Sequence, residues 1–217
     1  MEEKTIQMRP MEAEFDKAFS KRHGLEIQRK LKATRIAVFG LGGLGSHTTF
    51  YLARMGVGYL HLIDFDRVEF DNLHRQQYRL CHVGEYKTEA LASQLREINP
   101  YIQLKLESVQ VNRENVLALI ADSDLICEAF DDPEAKAMLV NAVLEWAPEK
   151  QIIASSGMAG LDSGNTVITR KVSKNFYLCG DGVSEGHHGN GLMAARVGIC
   201  AGHQALTAVR LALELEK

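Results

Sequence analysis

The sequence predicts an α/β protein with a doubly wound, Rossmann-like, mostly parallel sheet, helices on both faces and a small antiparallel extension. From residue 34 onwards, strand-like and helix-like segments alternate, an order that favours right-handed βαβ units. The first apolar segment runs into glycines of a tight turn and then into a helix-compatible stretch. A chain of 217 residues is long enough for one core and too short for two comfortable domains. We therefore expect a helical arm over residues 1–33 and one domain over residues 34–217.

Short apolar or alternating stretches predict the strands of this sheet. Five of them are expected to be parallel strands, namely residues 35–39, 59–63, 102–107, 125–129 and 152–155. After Ser155 the pattern loosens into glycines and a strand-like stretch at residues 166–172. We expect that stretch to form a hairpin or crossover at the sheet edge.

Helical periodicity predicts the segments between and after the strands, at residues 44–55, 87–99, 112–121, 134–146 and 192–215. In the last of these, four apolar residues share a stripe that should cover the sheet: Ile199, Leu206, Val209 and Leu213. The glycine-rich stretch before it, residues 181–191, is expected to be a mobile loop. It contains His187 and His188, to which no role is assigned because adjacent loop histidines are usually solvated.

Composition limits the class of protein. A net charge of −3, 46% hydrophobic residues and 24% charged residues describe a soluble globular chain without a nucleic-acid footprint. No secretory signal or membrane-spanning run is found, so a cytoplasmic setting is expected. The four cysteines contain no Cys-x-x-Cys pair, so no zinc site is expected. Cys127 lies in an apolar run and is expected to be inert, whereas Cys179 is the more exposed candidate.

The glycine turn is the most informative feature. Gly40, Gly42 and Gly45 occupy the first, third and sixth places of the turn between the first strand and a helix. A backbone without Cβ atoms can approach phosphates closely, and a helix N-terminus offers free N–H groups. Asp64, which ends the next apolar stretch, suits a ribose hydroxyl. The pattern predicts a nucleotide site, although such a turn can also serve close helix–strand packing.

A second group of residues follows Asp64. It comprises Asp66, the run Asn72-Leu73-His74-Arg75-Gln76, Lys87, and Asp131 with Asp132. A hydride-transfer enzyme does not need these side chains, because they gather cations and amides near the expected phosphates. Taken singly, Arg75 and Lys87 could be ordinary surface residues and the aspartates could be turn or cap residues. Their joint occurrence favours a functional site.

Together with the glycine turn, this group resembles the ThiF and MoeB branch of the ubiquitin-activating-enzyme-like superfamily, and ThiF most closely. The resemblance implies a site for ATP and magnesium built from Gly40, Gly42, Gly43, Gly45, Asp64, Asp66, Asn72, Arg75, Gln76, Lys87, Asp131 and Asp132. In it, Gly42 touches the phosphates, Asp64 the ribose and Asp131 the magnesium ion, while Asn72, Arg75 and Lys87 hold the triphosphate. Asp132 replaces the family's asparagine.

The resemblance also implies partners. It predicts a homodimer in which Arg22, or Lys21 as the fallback, serves the neighbouring subunit's site, and it makes Cys179 a possible sulfur-transfer cysteine. The implied reaction adenylates the C-terminal Gly-Gly carboxylate of a ubiquitin-like sulfur carrier protein, that of thiamine thiazole synthesis first. Three alternatives stay open: a MoeB-like or tRNA-modifying relative, a nicotinamide-dependent oxidoreductase, and a non-catalytic scaffold.

Overall fold

A computed structural model describes residues 11–186 and 191–216. Helices in this part are α1 (Glu12–His23), α2 (Leu25–Ala33), α3 (Gly43–Met55), α4 (Lys87–Ile98), α5 (Val116–Ile120), α6 (Pro133–Trp146) and α7 (Ala194–Ala212). The strands are β1 (Arg35–Phe39), β2 (Tyr59–Ile63), β3 (Gln103–Glu107), β4 (Leu125–Glu128), β5 (Gln151–Ser155), β6 (Ile168–Ser173) and β7 (Phe176–Gly180). His187 and His188 lie outside the described residues.

The strands form one sheet in the order β3-β2-β1-β4-β5-β7-β6. All neighbours are parallel except β6 and β7, which are antiparallel. The predicted doubly wound sheet with a small antiparallel extension is therefore confirmed. Because β1, β2, β4, β5 and β7 run in the same direction, their C-terminal ends share one border, which we call the carboxyl edge.

Helices cover both faces, and the sequence of β1 shows why. Ile36 and Val38 belong to one hydrophobic cluster, with side chains from α3, α4 and α7, whereas Ala37 and Phe39 belong to the other, with side chains from α5 and α6. Successive side chains of a strand point to opposite faces, so an uninterrupted apolar run needs a cover on each side. This explains the two-sided packing.

The structure corrects two predicted elements. Helix α5 has only five residues because Asn112 forms a turn before it, its Oδ1 atom accepting from the amides of Glu114 and Asn115 at 3.0 and 3.1 Å. The strand-like stretch at residues 166–172 becomes β6, and a further strand, β7, follows it. The expected hairpin therefore exists, but its second strand was missed.

The expected stripe on α7 is confirmed in part, because Val209 is buried and Leu213 packs against the core, whereas the other two members face solvent. Ile199 and Leu206 are 41% and 54% exposed, and the face toward the sheet carries smaller or polar residues, among them Cys200, Ala201, Gln204, Ala205 and Ala208. The prediction failed for Ile199 and Leu206 because α7 packs closely against α3 and the sheet, which favours small residues.

Gln204 is a polar residue in the core whose side-chain amide nitrogen and oxygen both have hydrogen-bond partners. Its Nε2 donates to the carbonyls of Glu128 and Ile153 at 2.8 and 2.9 Å, and its Oε1 accepts from Thr48 at 2.9 Å. One side chain therefore connects α7 to α3, β4 and β5.

Helices α1 and α2 lie at the border opposite to the carboxyl edge. The amide of Gly58, just before β2, donates to the carbonyl of Leu31 at 3.0 Å, and Phe15 contacts Tyr101, which precedes β3, with ring centroids 5.9 Å apart. None of the helices in the described ranges is long and apolar enough to cross a membrane.

Candidate active site

The turn after β1 is held rigidly at the carboxyl edge. The amide of Leu41 donates to Oδ2 of Asp64 at 2.6 Å, and the carbonyl of Leu41 accepts from the hydroxyl of Tyr78 at 2.7 Å. The other oxygen of Asp64 accepts from the amide of Asp66 at 2.8 Å. Asp64 therefore links the ends of β1 and β2, and each of its oxygens keeps a lone pair for a ligand hydroxyl.

Glycine is required in this turn for steric reasons. Gly40 has a φ of +86°, and a Cβ atom there would lie 2.7 Å from the carbonyl oxygen of Ala129. A Cβ atom at Gly45 would lie 1.8 Å from the carbonyl oxygen of Gly40. The close contact between the first turn of α3 and the end of β1 therefore depends on these two positions.

Gly42 is the N-cap of α3, and as a glycine it has no side chain to cap the helix. The open N-terminus of a helix presents N–H groups and a partial positive charge, which together favour anions. The helix end thus faces the carboxyl edge in the manner expected of a phosphate site.

The segment after β2 brings Arg75 and Gln76 against the same turn. The Cβ atoms that Gly43 and Gly42 lack would lie 3.7 Å from Cγ of Arg75 and 3.8 Å from Nε2 of Gln76. Gln76 is 8% exposed, and its buried Oε1 has no hydrogen-bond partner among the described residues. Buried polar atoms are normally paired, so this orphaned amide fits a polar ligand bound beside the glycines.

Lys87 joins the group from the first turn of α4. Its Nζ lies 2.6 Å from Oδ2 of Asp66, and its side chain is 8% exposed. Burial raises the pKa of the Asp64 carboxyl, and the nearby Lys87 charge opposes that rise. Since an ammonium group has three donors, Lys87 can hold Asp66 and still donate to a ligand.

Three predicted site residues have local partners: Arg75, whose Nη1 donates to the carbonyl of Asp71 at 3.0 Å, Asn72 and Asp132. The Oδ1 of Asn72 accepts from the amide of Glu69 at 3.1 Å, and its Nδ2 donates to Asp71 at 2.8 Å. These bonds shape the short 3₁₀ turn Phe70–Asn72 that precedes Arg75. Asp132 caps α6, because its Oδ1 accepts from the amide of Glu134 at 2.9 Å.

Asp131 lies on the loop after β4 and is exposed. The loop adjoins the glycine turn, since the amide of Ala129 donates to the carbonyl of Phe39 at 2.8 Å. Mg²⁺ usually binds through one or two carboxylates together with substrate phosphates, so an exposed carboxylate beside a phosphate site fits this ion. Among the described residues, no three His, Cys, Asp or Glu side chains form a group that could hold a metal ion by themselves.

The interpretation of Cys179 as an exposed residue was wrong. It lies on β7 with no exposed surface, because β7 is covered by β5, β6 and α7. Burial also raises the pKa of its thiol, which lowers the fraction of the reactive thiolate. Cys81 is exposed, whereas Cys127, Cys179 and Cys200 are buried.

Arg22 and Lys21 lie far from the turn within one chain. Their neighbour His23 bonds to Gln28 at 2.8 Å, and Gln28 packs against Gly56 at the end of α3. A helix of 13 residues spans about 20 Å, so this region is about that far from the glycine turn.

The sequence reasoning missed Tyr78 and Glu128. Tyr78 fixes the Leu41 peptide, and its place two residues after Gln76 was the available signal. Glu128 is fully buried at the end of β4, where it accepts from the amide of Phe130 at 2.7 Å and from Lys136 at 2.6 Å. It shapes the loop that carries Asp131, and a lone acidic residue ending an apolar strand was the signal.

The sheet order and the glycine turn at its carboxyl edge define a Rossmann-like α/β protein. Within that class, the chain belongs to the ThiF family, which it matches over residues 16–217.

Relatives and solved structures are similar to this chain to different extents. It is 33% identical over 194 residues to the molybdopterin-synthase adenylyltransferase of Salmonella typhimurium, covering 86% of this chain and 76% of that protein. It is 29% identical over 204 residues to the adenylyltransferase and sulfurtransferase MOCS3 of Aedes aegypti, covering 88% of this chain but 44% of that protein. The crystal structure of E. coli tRNA N6-threonylcarbamoyladenosine dehydratase, TcdA, in complex with ATP superimposes with a TM-score of 0.82 at 20% identity, covering 92% and 93% of the two chains.

Proposed function

We propose that this protein is an ATP-dependent adenylyltransferase that activates the C-terminal Gly-Gly carboxylate of a ubiquitin-like sulfur carrier protein. The observation that carries the proposal is the group of Arg75, Gln76 and Lys87 around an uncapped helix N-terminus. Membership of the ThiF family and the likeness to a molybdopterin-synthase adenylyltransferase support it.

The chemistry explains why cations and amides suffice. The attacking carboxylate is already ionised at neutral pH, because an α-carboxyl group has a pKa of about 3.5. It attacks the α-phosphorus of ATP, the bond to the β-phosphate oxygen breaks, and an acyl adenylate and pyrophosphate result. The barrier arises from repulsion between anions and from charge that builds on the leaving group. Fixed donors lower such a barrier without reorganising.

Each side chain has a distinct task. Asp64 fixes the glycine turn and offers a lone pair to a ribose hydroxyl, while Gln76 presents its buried amide beside Gly42. Arg75 and Lys87 stabilise the negative charge of the phosphates. Asp131 would hold a magnesium ion, which, when bound, neutralises phosphate charge.

Arg22 completes the site only from a second copy. It lies near the border opposite to the carboxyl edge, so it cannot reach the glycine turn of its own chain. We therefore propose a homodimer in which Arg22 of one subunit serves the other's site. When Arg22→Ala and Lys87→Ala proteins are mixed, hybrid dimers should regain part of the activity, since one of their two sites is intact. Hybrids that form without any recovery would exclude this arrangement.

The carrier of thiazole synthesis in the thiamine pathway is the first candidate partner. A carrier of molybdopterin synthesis and a carboxylate on tRNA are the alternatives, the latter favoured by the fold shared with TcdA. Exchange of pyrophosphate into ATP distinguishes these three substrates. Each is added separately, and the true substrate is the one that stimulates the exchange. Pyrophosphate exchange that depends on tRNA and on no carrier protein would favour activation of a carboxylate on tRNA.

Variants of the cations test the site. Removal of one fixed donor typically lowers the rate about 100-fold, so Arg75→Gln and Lys87→Met should each reduce carrier-dependent exchange by about that factor. Arg79→Gln is the matched control, because Arg79 lies on the same segment but is 62% exposed and pairs with Glu97. Exchange that both site variants leave unchanged would refute the assigned roles.

A further inference from the structure

A buried ion pair lies at the carboxyl edge, outside the residues assigned to the nucleotide site. Nη2 of Arg196, in the first turn of α7, is 2.5 Å from Oδ2 of Asp181, which directly follows β7. The two side chains are 4% and 5% exposed. Removing two charged groups from water costs free energy, so a buried ion pair of this kind suggests a specific role.

Arg196 connects three parts of the chain. Its Nη1 donates to the carbonyls of Asp162 and Ser163 at 2.5 and 2.9 Å, and its Nη2 also donates to Oγ1 of Thr166 at 3.1 Å. These acceptors lie on the connection between β5 and β6, residues 156–167, which we call the β5 loop. Asp181 begins the stretch of residues 181–186, which we call the β7 loop.

Asp181 organises the β7 loop in turn. Its Oδ1 accepts from the amides of Val183 and Ser184 at 2.9 and 2.8 Å. Burial by itself raises the pKa of this carboxyl, but these amides and Arg196 lower it to about 2. The carboxylate therefore stays ionised throughout the physiological range.

The two loops also touch through their backbones, and glycine makes this possible. A Cβ atom at Gly157, where φ is +80°, would lie 2.0 Å from Oδ1 of Asp181, and one at Gly180, where φ is +129°, would lie 1.9 Å from the carbonyl oxygen of Ser156. The amide of Asp181 donates to the carbonyl of Gly157 at 2.9 Å. The loops thus form one unit.

This unit presents apolar side chains to solvent. Leu161 on the β5 loop is 85% exposed, and Val183 on the β7 loop is 83% exposed. A buried ion pair adds little stability compared with apolar packing, but it selects one arrangement of the groups that it joins. The contacts therefore fix two loops whose tips are free to meet a partner.

The position of the unit indicates the partner. Neighbouring strands lie about 4.8 Å apart and β7 is three strands from β1, so the unit is about 14 Å from the glycine turn along the carboxyl edge. An extended peptide spans about 3.5 Å per residue, so about four residues cover this distance. A peptide whose carboxylate reaches the nucleotide would then contact the unit about four residues before its end.

We infer that the Arg196–Asp181 pair positions the β5 and β7 loops as the surface that binds the extended C-terminal peptide of the carrier. The inference rests on the proposed function and adds a specificity device to it. Arg196 and Asp181 are positioning residues, because they act through the loops. Leu161 and Val183 supply the apolar contact.

Steady-state pyrophosphate exchange with a Gly-Gly carrier tests this inference in the full-length protein. Arg196→Gln and Asp181→Asn should raise the KM for the carrier about tenfold or more, which corresponds to about 1.4 kcal/mol. The Kd of Mg·ATP, measured by calorimetry, should stay within about twofold, which corresponds to about 0.4 kcal/mol. Arg113→Gln is the control, because the Arg113–Glu145 pair is exposed and should leave both constants unchanged.

Two further measurements make the result decisive. Leu161→Ser and Val183→Ser alter only exposed tips, so they should fold normally and raise the same KM even if an ion-pair variant fails to fold. Substituting the fourth residue from the end of the carrier should raise KM in the wild type and have less effect in Asp181→Asn, because both changes remove one contact.

The outcomes separate this inference from the function beneath it. If the wild type exchanges pyrophosphate and Lys87→Met does not, but folded Arg196, Asp181, Leu161 and Val183 variants keep the wild-type KM for the carrier, the inference is wrong and the function stands. A parallel loss of ATP affinity would assign the pair a general structural role and overturn the inference. If the wild type shows no carrier-dependent exchange, both are wrong.

Discussion

Replacing Gly45 with alanine should separate the glycine turn from the helix that follows it. A methyl group at this position would lie 1.8 Å from the carbonyl oxygen of Gly40 and 3.3 Å from Cβ of Ala129. Contacts between nonbonded heavy atoms are comfortable at about 3.5 Å, so the end of β1 and the first turn of α3 must move apart by about 1.7 Å.

The size of the effect follows from two opposing contributions. Overpacking of this kind costs about 1–3 kcal/mol, whereas alanine stabilises a helix by about 0.5–1 kcal/mol relative to glycine. The free energy of unfolding should therefore fall by about 1.3 kcal/mol, which lowers the Tm of a chain of this size by about 4 °C. Because the atom struck belongs to the backbone of the turn, the affinity for Mg·ATP should fall as well.

Thermal unfolding and calorimetric titration with Mg·ATP measure these effects. The matched control is Gly202→Ala in α7, where a Cβ atom would meet nothing within 4 Å and the Tm should rise instead. If Gly45→Ala kept the wild-type Tm and ATP affinity, the close contact between β1 and α3 would be refuted.

Three further results are expected. Burial lowers the pKa of His61 from 6.5 to about 4. Between these two pH values the unfolded chain binds one proton more than the folded chain. The free energy of unfolding should therefore fall by about 3 kcal/mol as the pH drops from 7 to 4. Urea unfolding of His61→Leu should show a weaker pH dependence, and an equal one would contradict this explanation. Asp132→Ala removes the cap of α6 and should lower the free energy of unfolding by about 1 kcal/mol, whereas a gain in stability would exclude the capping role. Brief alkylation of the native protein should modify Cys81 and spare Cys179, as peptide mass spectrometry can check, and early labelling of Cys179 would show that β7 is accessible.

The fold was largely predictable because its strands are short apolar runs separated by helical periods. β1 illustrates this, since its bounds at Arg35 and Phe39 coincide with the prediction. β7 was missed because Phe176–Gly180 ends in a glycine-rich stretch that resembles a loop. Part of the face of α7 was assigned wrongly because hydropathy ranks Leu206 above Ala205, whereas close helix packing selects the smaller residue.

The residues of the candidate site could be identified from their pattern in the sequence, but their contacts could not be predicted from it. That Lys87 pairs with Asp66 and that Asp64 holds the Leu41 amide depend on distances across the carboxyl edge. The Arg196–Asp181 pair had no sequence signal at all, since 15 positions separate its members and neither lies in a recognised pattern.

The hydrogen bonds of Gln204 constrain how far the sheet can fold while the chain is still being synthesised. Its partners lie 51, 76 and 156 positions earlier in the chain. During synthesis, the carbonyls of Glu128 and Ile153 acquire this donor only after Gln204 of α7 has been added to the chain. In a ribosome-bound chain that stops before α7, the ends of β4 and β5 should therefore be less firmly held together.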